Sequence, residues 1–95
     1  VELYGDVTFD GELNVNDVVL MVNFVLYVII PNEEELLTAD FNQDNVLNIL
    51  DVIQLVSEIL GTSFTQSVQW LEENFPQLNT KERLNKLNKE QYFSK

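Results

Sequence analysis

Apolar residues recur every four positions in two stretches of the chain, which is the spacing of one face of an α-helix. The two sets are Val18, Val22 and Leu26, and Val52, Val56 and Leu60. The first set predicts a helix over residues 15–29, which stops before Pro31 because proline disfavours helical backbone at the preceding residue. The second set predicts a helix over residues 49–60, ended by Gly61, a residue type common at helix C-termini.

Three further helices are predicted. A short linking helix begins after Asn32, a good N-cap residue that is followed by three acidic residues. A third helix covers about residues 65–75, and a last one covers about residues 80–92 with Asn79 or Thr80 as its cap. Signals for β-strands are weak throughout, so we expect an all-α fold.

The two main helices belong to an internal repeat with an offset of 34 residues. Residues 6–26 and 40–60 are identical at eight of 21 positions. The identical pairs are Asp6/Asp40, Asp10/Asp44, Leu13/Leu47, Asn14/Asn48, Asp17/Asp51, Val18/Val52, Val22/Val56 and Leu26/Leu60. Polar identities come first and apolar ones follow, so each repeat predicts a polar loop followed by a helix.

The polar loops, loop one (residues 6–17) and loop two (residues 40–51), have the ligand spacing of a twelve-residue calcium loop. Such a loop offers oxygens from positions 1, 3, 5, 7, 9 and 12, position 7 through its main-chain carbonyl and position 9 commonly through water. The candidate ligands are Asp6, Thr8, Asp10, Glu12, Asn14 and Asp17 in loop one, and Asp40, Asn42, Asp44, Val46, Asn48 and Asp51 in loop two. Position 6 needs a sharp turn, and Gly11 and Asn45 both tolerate left-handed backbone. We therefore predict two bound Ca²⁺ ions.

A metal-free interpretation of the same loops stays open. Asp and Asn also form turns and cap the helices that follow them. The repetition of the whole loop-and-helix pattern favours the ions.

Composition narrows the classes of function. The net charge is −11, residues 1–80 contain no base, and all five bases lie in the last fifteen residues. Phosphates would be repelled, so we expect no nucleic-acid partner. Without cysteine or histidine there are no disulfides, zinc sites or Ser-His and Cys-His catalysis, and we expect no enzyme. Metal ions would instead support the thin core of a 95-residue domain.

The longest apolar run, residues 18–30, is too short to span a bilayer, so we expect no transmembrane segment. The chain starts at Val1 without an initiator methionine or a signal peptide, and we expect a processed chain or a fragment.

Residues 5–14 and 39–44 resemble the starts of the two repeats of a type I dockerin domain. No helix precedes either loop, and position 12 is Asp where most EF-hands have Glu. The resemblance covers about residues 4–61 and implies an extracellular or cell-surface module, folded with two calcium ions and two antiparallel helices. It also implies binding to a cohesin domain. The chain further resembles the dockerin-like C-terminal ends of secreted bacterial proteins outside cellulosomes.

The resemblance divides the chain into a dockerin-like module, residues 1–61, and a basic, aromatic, helical C-terminal extension, residues 62–95. In cellulosomal dockerins, loop positions 10 and 11 are often a Ser-Thr-like pair that contacts cohesin. Here they are Val15-Asn16 and Ile49-Leu50, a difference that bears on cohesin recognition.

Several alternatives follow from the apolar first helix and the basic tail. The second face of the first helix is covered either by the C-terminal helices or by another chain. The C-terminal extension either packs on the module of its own chain or docks into a neighbouring chain. In the second case, a repeated head-to-tail contact would give a ring or filament.

The main expectation is a calcium-stabilised assembly module whose partner is a cohesin-like domain or another copy of the chain. A self-assembling extracellular filament and a structural, calcium-binding terminal domain of a larger secreted protein are the alternatives. A cytosolic calcium sensor is disfavoured because the chain has one methionine and no helix before each loop.

Overall fold

A computed structural model of the chain describes the main chain of residues 3–93 and the side chains of residues 3–86. The helices are α1 Val15–Val25, α2 Glu33–Ala39, α3 Ile49–Leu60, α4 Phe64–Asn74 and α5 Thr80–Phe93, with a 3-10 turn at Pro76–Leu78. Residues 3–93 contain no β-strand, and the predicted all-α class is confirmed. The side chains of Lys89, Tyr92, Phe93 and Lys95, which belong to the predicted basic aromatic tail, lie outside the described residues.

The two repeat helices start with the same pair of reciprocal hydrogen bonds. In α1, the side chain of Asn14 accepts from the main-chain N–H of Asn16, and Asp17 accepts from the main-chain N–H of Asn14 at 3.0 Å. In α3, Asn48 and Asp51 repeat this arrangement, again at 3.0 Å between Asp51 and the main-chain N–H of Asn48. Each loop therefore satisfies the free N–H groups of the helix that follows it.

The end of α1 differs from the prediction, because the helix stops at Val25, four residues earlier than expected. Tyr27 has left-handed backbone, with φ +60°. The N–H of Tyr27 donates to the oxygen of Phe24 at 3.1 Å, and the N–H of Val28 donates to that of Asn23 at 2.9 Å. This pair of bonds is the Schellman arrangement, in which glycine usually takes the left-handed position. The longer helix was a wrong prediction because a tyrosine there gives no signal for a helix end.

The end of α3 was predicted correctly at Leu60, and Gly61 follows it with φ +64°. Gly61 and Tyr27 occupy equivalent positions of the two repeats, and both are left-handed. The ends of α4 and α5 lie within one residue of their predicted positions.

The core lies between α1, α3 and α4, and α5 also packs on α3. Its buried apolar residues are Val7, Val18, Met21, Val22, Phe24, Val25, Ala39, Ile49, Val52, Ile53, Leu55, Val56, Leu71 and Leu78. The hydroxyl of Ser67 on α4 lies 2.7 Å from that of Ser57 on α3 and 2.7 Å from that of Thr62. The described part of the C-terminal extension therefore packs on α3 of the same chain.

The two repeat helices differ in how much of their apolar surface is exposed, because the C-terminal extension packs on α3. Val15 and Val19 on α1 are 45% and 41% exposed, whereas their repeat counterparts on α3, Ile49 and Ile53, are each 1% exposed. Because α4 and α5 pack on α3, this face of α3 is covered and the equivalent face of α1 stays open. The expectation that the C-terminal helices cover the second face of the first helix is not met at Val15 and Val19.

Candidate metal centre

Loop one folds around the carboxylate of Asp6. Its Oδ1 accepts from the main-chain N–H of Asp10 at 3.3 Å, and its Oδ2 accepts from that of Gly11 at 2.9 Å. Asp17, in the first turn of α1, accepts from the main-chain N–H of Thr8 at 3.2 Å and from the Thr8 hydroxyl at 2.9 Å. The last ligand position is thereby joined to the beginning of the loop.

Loop two repeats this folding with its own residues. Asp40 Oδ1 accepts from the main-chain N–H of Asp44 at 3.2 Å, and Asp40 Oδ2 accepts from that of Asn45 at 2.8 Å. Asp51 Oδ1 accepts from the main-chain N–H of Asn42 at 3.3 Å. The same atoms are therefore brought together in both repeats.

Three carboxylates converge in each loop. The clusters are Asp6, Asp10 and Asp17, and Asp40, Asp44 and Asp51. One carboxylate oxygen from each member lies within 4.8 Å of the others in its cluster. Two oxygens bound to one Ca²⁺ at about 2.3–2.6 Å are at most about 4.6–5.2 Å apart, so this spacing fits the ion. The donors are hard oxygens, which are the ligands that Ca²⁺ prefers.

In loop two, burial has the largest effect on the pKa of Asp51. Asp51 is fully buried, and this burial raises its pKa to about 6. The charges of Asp44 and Asp40 raise the pKa of Asp51 as well, while the main-chain N–H groups of Asn48 and Asn42 lower it. A cation in the cluster would remove this penalty because it favours the ionised carboxylate.

The pKa of Asp10 is lowered, in contrast to that of Asp51. The main-chain N–H of Glu12 donates to Asp10 Oδ1 at 3.0 Å, and this bond is the main cause that lowers the pKa of Asp10. Burial of the Asp10 carboxylate raises its pKa by a smaller amount, and the Thr8 side chain lowers it. This loop carboxylate is therefore ionised and ready to bind a cation at neutral pH.

The remaining predicted ligands lie beside the clusters. Thr8 reaches its cluster through its hydroxyl, and Asn42 accepts from the main-chain N–H of Asp44 at 3.3 Å. Val46 at position 7 donates its main-chain N–H to Asp44 Oδ1 at 3.0 Å, as Glu12 does to Asp10.

Asn14 and Asn48 at position 9 use their side-chain oxygens as helix caps, accepting from the main-chain N–H groups of Asn16 and Leu50. This capping was the role given to them by the metal-free interpretation. Both roles are compatible, since position 9 commonly reaches calcium through water.

Left-handed backbone occurs at two positions of each loop. Position 6 was expected, and Gly11 and Asn45 have φ +85° and φ +66°. Position 4 was missed, because Phe9 and Gln43 are not residue types that signal φ +57° and φ +58°. Such backbone persists in non-glycine residues only where the surrounding structure imposes it.

Gly5, just before loop one, was also missed by the sequence reasoning. Its N–H donates to the main-chain oxygen of Thr38 at 2.8 Å, which joins the first repeat to the end of α2. A Cβ on Gly5 would lie 2.9 Å from Leu55 Cδ1 and 3.1 Å from Phe41 Cδ2. The repeat contains a signal for this close approach, since the counterpart of Gly5 is the small, buried Ala39.

Two loops with converging carboxylates, each followed by a capped helix and packed on one core, define a protein with paired calcium-loop repeats. A family model described as the dockerin type I domain matches residues 4–60, more than half of the chain. The chain belongs to the type I dockerin family. Searches of the curated proteins and of the solved structures gave no match.

Membership in this family establishes a coarse function. Dockerins are non-catalytic interaction modules that bind calcium and assemble proteins in a calcium-dependent way, with a cohesin-type partner. Among the described residues, no helix has the length and apolar character needed to cross a membrane.

Proposed function

We propose that this chain is a calcium-stabilised module that works outside the cell, or on its surface, in non-covalent protein–protein assembly. One observation carries the proposal: both loops bring three carboxylate oxygens within 4.8 Å of one another. Like charges held this close are unfavourable unless a cation joins them. Two such clusters support two Ca²⁺ ions per chain.

The proposed ligands follow the loop positions. They are Asp6, Thr8, Asp10, the main-chain oxygen of Glu12, Asn14 and Asp17, and Asp40, Asn42, Asp44, the main-chain oxygen of Val46, Asn48 and Asp51. One bound Ca²⁺ would offset two of the three negative charges in each loop. The hydrogen bonds that Asp17 and Asp51 accept from the main-chain N–H groups of Thr8 and Asn42 then hold each loop against its helix.

We also propose that residues 1–61 form the dockerin module and residues 62–95 an extension of it. The hydroxyl contacts between α3 and α4 and the buried Leu71 and Leu78 support an extension that completes the core. The base-free body and the net charge of −11 support a protein partner over a nucleic acid. The extracellular setting is supported by the family, whose members typically belong to extracellular or cell-surface proteins.

The proposal is tested by removing calcium while following helix content by circular dichroism. We expect chelation with EGTA to unfold residues 4–61, because the six cluster carboxylates then repel one another, and added Ca²⁺ to restore the helical signal. Magnesium at the same concentration is the control and should restore less, since it demands a smaller octahedral site. A helical signal unchanged by EGTA would contradict the proposal.

A second candidate function, a self-assembling extracellular filament, is favoured by a specific exposed segment. Tyr27, Val28, Ile29 and Ile30 follow α1 and are all exposed in the described structure. Contiguous apolar surface of this kind is typical of interaction sites. Electron microscopy of the purified chain with and without calcium separates the two candidates, since only the filament predicts regular fibres.

A further inference from the structure

A groove of about 290 Å³ lies where the end of α1, loop two and α5 meet. Val25 and Tyr27 contribute from the α1 side, Val46 from loop two, and Arg83 and Lys86 from α5. The groove combines an apolar wall with two cations, in a chain whose net charge is −11. It contains none of the cluster carboxylates, although Val46 and Asn48 of loop two line it.

Tyr27 is held in an unfavourable state at the edge of this groove. Its side chain is 85% exposed, and its backbone is left-handed at a position where the other repeat has Gly61. A non-glycine residue in this conformation is strained, because its Cβ lies close to the neighbouring carbonyl oxygen. Strain of this kind is concentrated at binding sites, and tyrosine is a common anchor residue of protein interfaces.

The two cations are placed to bind carboxylates. The Nε of Arg83 donates to the main-chain oxygen of Leu78 at 2.6 Å, which orients the guanidinium group and uses one of its five donors. Lys86 is exposed one turn further along α5. Arginine and lysine in this arrangement fit an acidic segment that also carries apolar side chains.

The chain itself displays such a segment. Helix α2 exposes Glu33 and Glu34 in its first turn, followed by the exposed Leu36 and Leu37. We propose that the groove docks α2 of a second copy of this chain, with its glutamates at the cations and its leucines against the apolar wall. This inference rests on the proposed function, because one wall of the groove belongs to loop two.

The contact joins two different surfaces, so it is a head-to-tail contact that leaves a free groove and a free α2 on every pair. Repetition of such a contact gives rings or open chains of molecules. A stable interface buries roughly 1,200–2,000 Å², and a seven-residue helix in one groove is a small contact, so we expect the isolated contact to be weak. It becomes effective at the high local concentrations of an assembly.

Charge reversal on each surface tests the pairing directly. The groove variant is R83E/K86E and the α2 variant is E33K/E34K, both studied by sedimentation velocity in saturating Ca²⁺ at about 10 μM to 1 mM. Each variant alone should self-associate at least about tenfold more weakly than the wild type. An equimolar mixture should form a one-to-one complex with wild-type affinity, because the intact groove of one variant meets the intact α2 of the other.

Control variants carry charge changes of the same sign elsewhere, a single reversal on α5 and a double reversal of acidic residues. Lys81→Glu places the reversal on α5 outside the groove, and E58K/E73K reverses two acidic residues on α3 and α4. These controls should self-associate as the wild type does. Weakening by the controls equal to that by the paired variants would show a general charge effect and overturn the proposal.

Tyr27→Gly separates docking from stability. Glycine relieves the left-handed strain, so the variant should melt at a higher temperature than the wild type while self-associating at least about tenfold more weakly. A residue with a merely structural role would not change the two properties in opposite directions. Self-association retained by Tyr27→Gly would overturn the proposal.

Two further outcomes also overturn it: a wild-type protein that stays monomeric up to about 1 mM in Ca²⁺, and a variant mixture that fails to form the complex. Both would show that the groove does not bind α2 of a second copy. Calorimetric titration with Ca²⁺ on the same samples keeps the two proposals separate. Calcium binding without association contradicts only the docking of a second copy, whereas loss of calcium binding contradicts the proposed function.

Discussion

At the scale of single residues, Asp51 links calcium to pH. Its pKa is about 6 in the folded chain without metal and about 3.9 in an unfolded chain. The folded state therefore binds this proton more tightly, and the contribution of Asp51 to stability is complete below about pH 4 and lost as the pH rises through 6. We expect the calcium-free chain to show more helix by circular dichroism at about pH 5 than at about pH 7.

Asp51→Asn is the matched variant, because asparagine keeps the side-chain shape and cannot ionise. Without calcium, the helix content of this variant should change less between about pH 5 and 7 than that of the wild type. An equal pH dependence in the two proteins would contradict the role given to Asp51.

Gly5 is a second residue whose role is testable. Gly5→Ala places a Cβ 2.9 Å from Leu55 Cδ1 on backbone with φ +91°. We expect this variant to lose roughly 2–4 kcal/mol of stability, measured as the free energy of urea unfolding in saturating Ca²⁺. Strain at this position arises from both the backbone and the contact with α3.

Gly61→Ala is the control for the backbone alone. Gly61 has φ +64°, and a Cβ there meets nothing within 4 Å. The Gly61→Ala variant should lose only about 1 kcal/mol of unfolding free energy. Equal losses in the two variants would show that the approach to Leu55 does not matter.

At the scale of elements, the ends of the two repeat helices show what the sequence can and cannot reveal. The end of α3 was predictable because Gly61 is the usual left-handed residue at a helix C-terminus. The end of α1 was not, because Tyr27 adopts the same backbone without the same residue type. The helix starts were predictable, since Asn14 and Asn48 are good caps and also belong to the ligand spacing.

The junction between α3 and α4 gives a prediction for the extension. Leu71 is fully buried against the core, whereas Phe64, on the same helix, is more than half exposed. Leu71→Ala should cost about 2–5 kcal/mol in unfolding free energy, because it leaves a cavity next to α3. Phe64→Ala should cost well under half of that, and a single unfolding transition is expected for both.

A small loss of unfolding free energy for Leu71→Ala would contradict the proposal that the extension completes the core. A separate, earlier unfolding transition of the extension would contradict it as well. The measurement is urea unfolding in saturating Ca²⁺, followed by the fluorescence of Trp70, which lies on α4 beside the core and 5.9 Å from the ring of Phe75.

At the scale of the whole molecule, the candidate site and the groove differ in how far the sequence predicts them. The carboxylates of each loop lie within twelve residues of one another, so their spacing alone indicated that they would converge. The groove unites Tyr27, Val46 and Arg83, which are remote in sequence and meet only after the core has formed. The different exposure of the two repeat helices could not be predicted from the sequence either. It arises because α4 and α5 cover α3 and leave the equivalent face of α1 open.

The charge of the molecule connects these features. Two Ca²⁺ ions would change the formal net charge from −11 to −7, and the acids that they offset are the cluster carboxylates. The exposed acids of α2 remain, and so do the bases of α5. With calcium bound, the described surface therefore keeps the acidic residues of α2 and the basic residues of α5, which can meet between molecules.

Isothermal titration of the metal-free chain with Ca²⁺ tests the central claim most directly. The account predicts two ions per wild-type chain and one ion per chain for either Asp10→Asn or Asp44→Asn, because each variant disables one loop. Glu73→Gln, which removes an exposed acid on α4, should still bind two. A stoichiometry other than two for the wild type, or two ions bound by either loop variant with unchanged affinity, would contradict it.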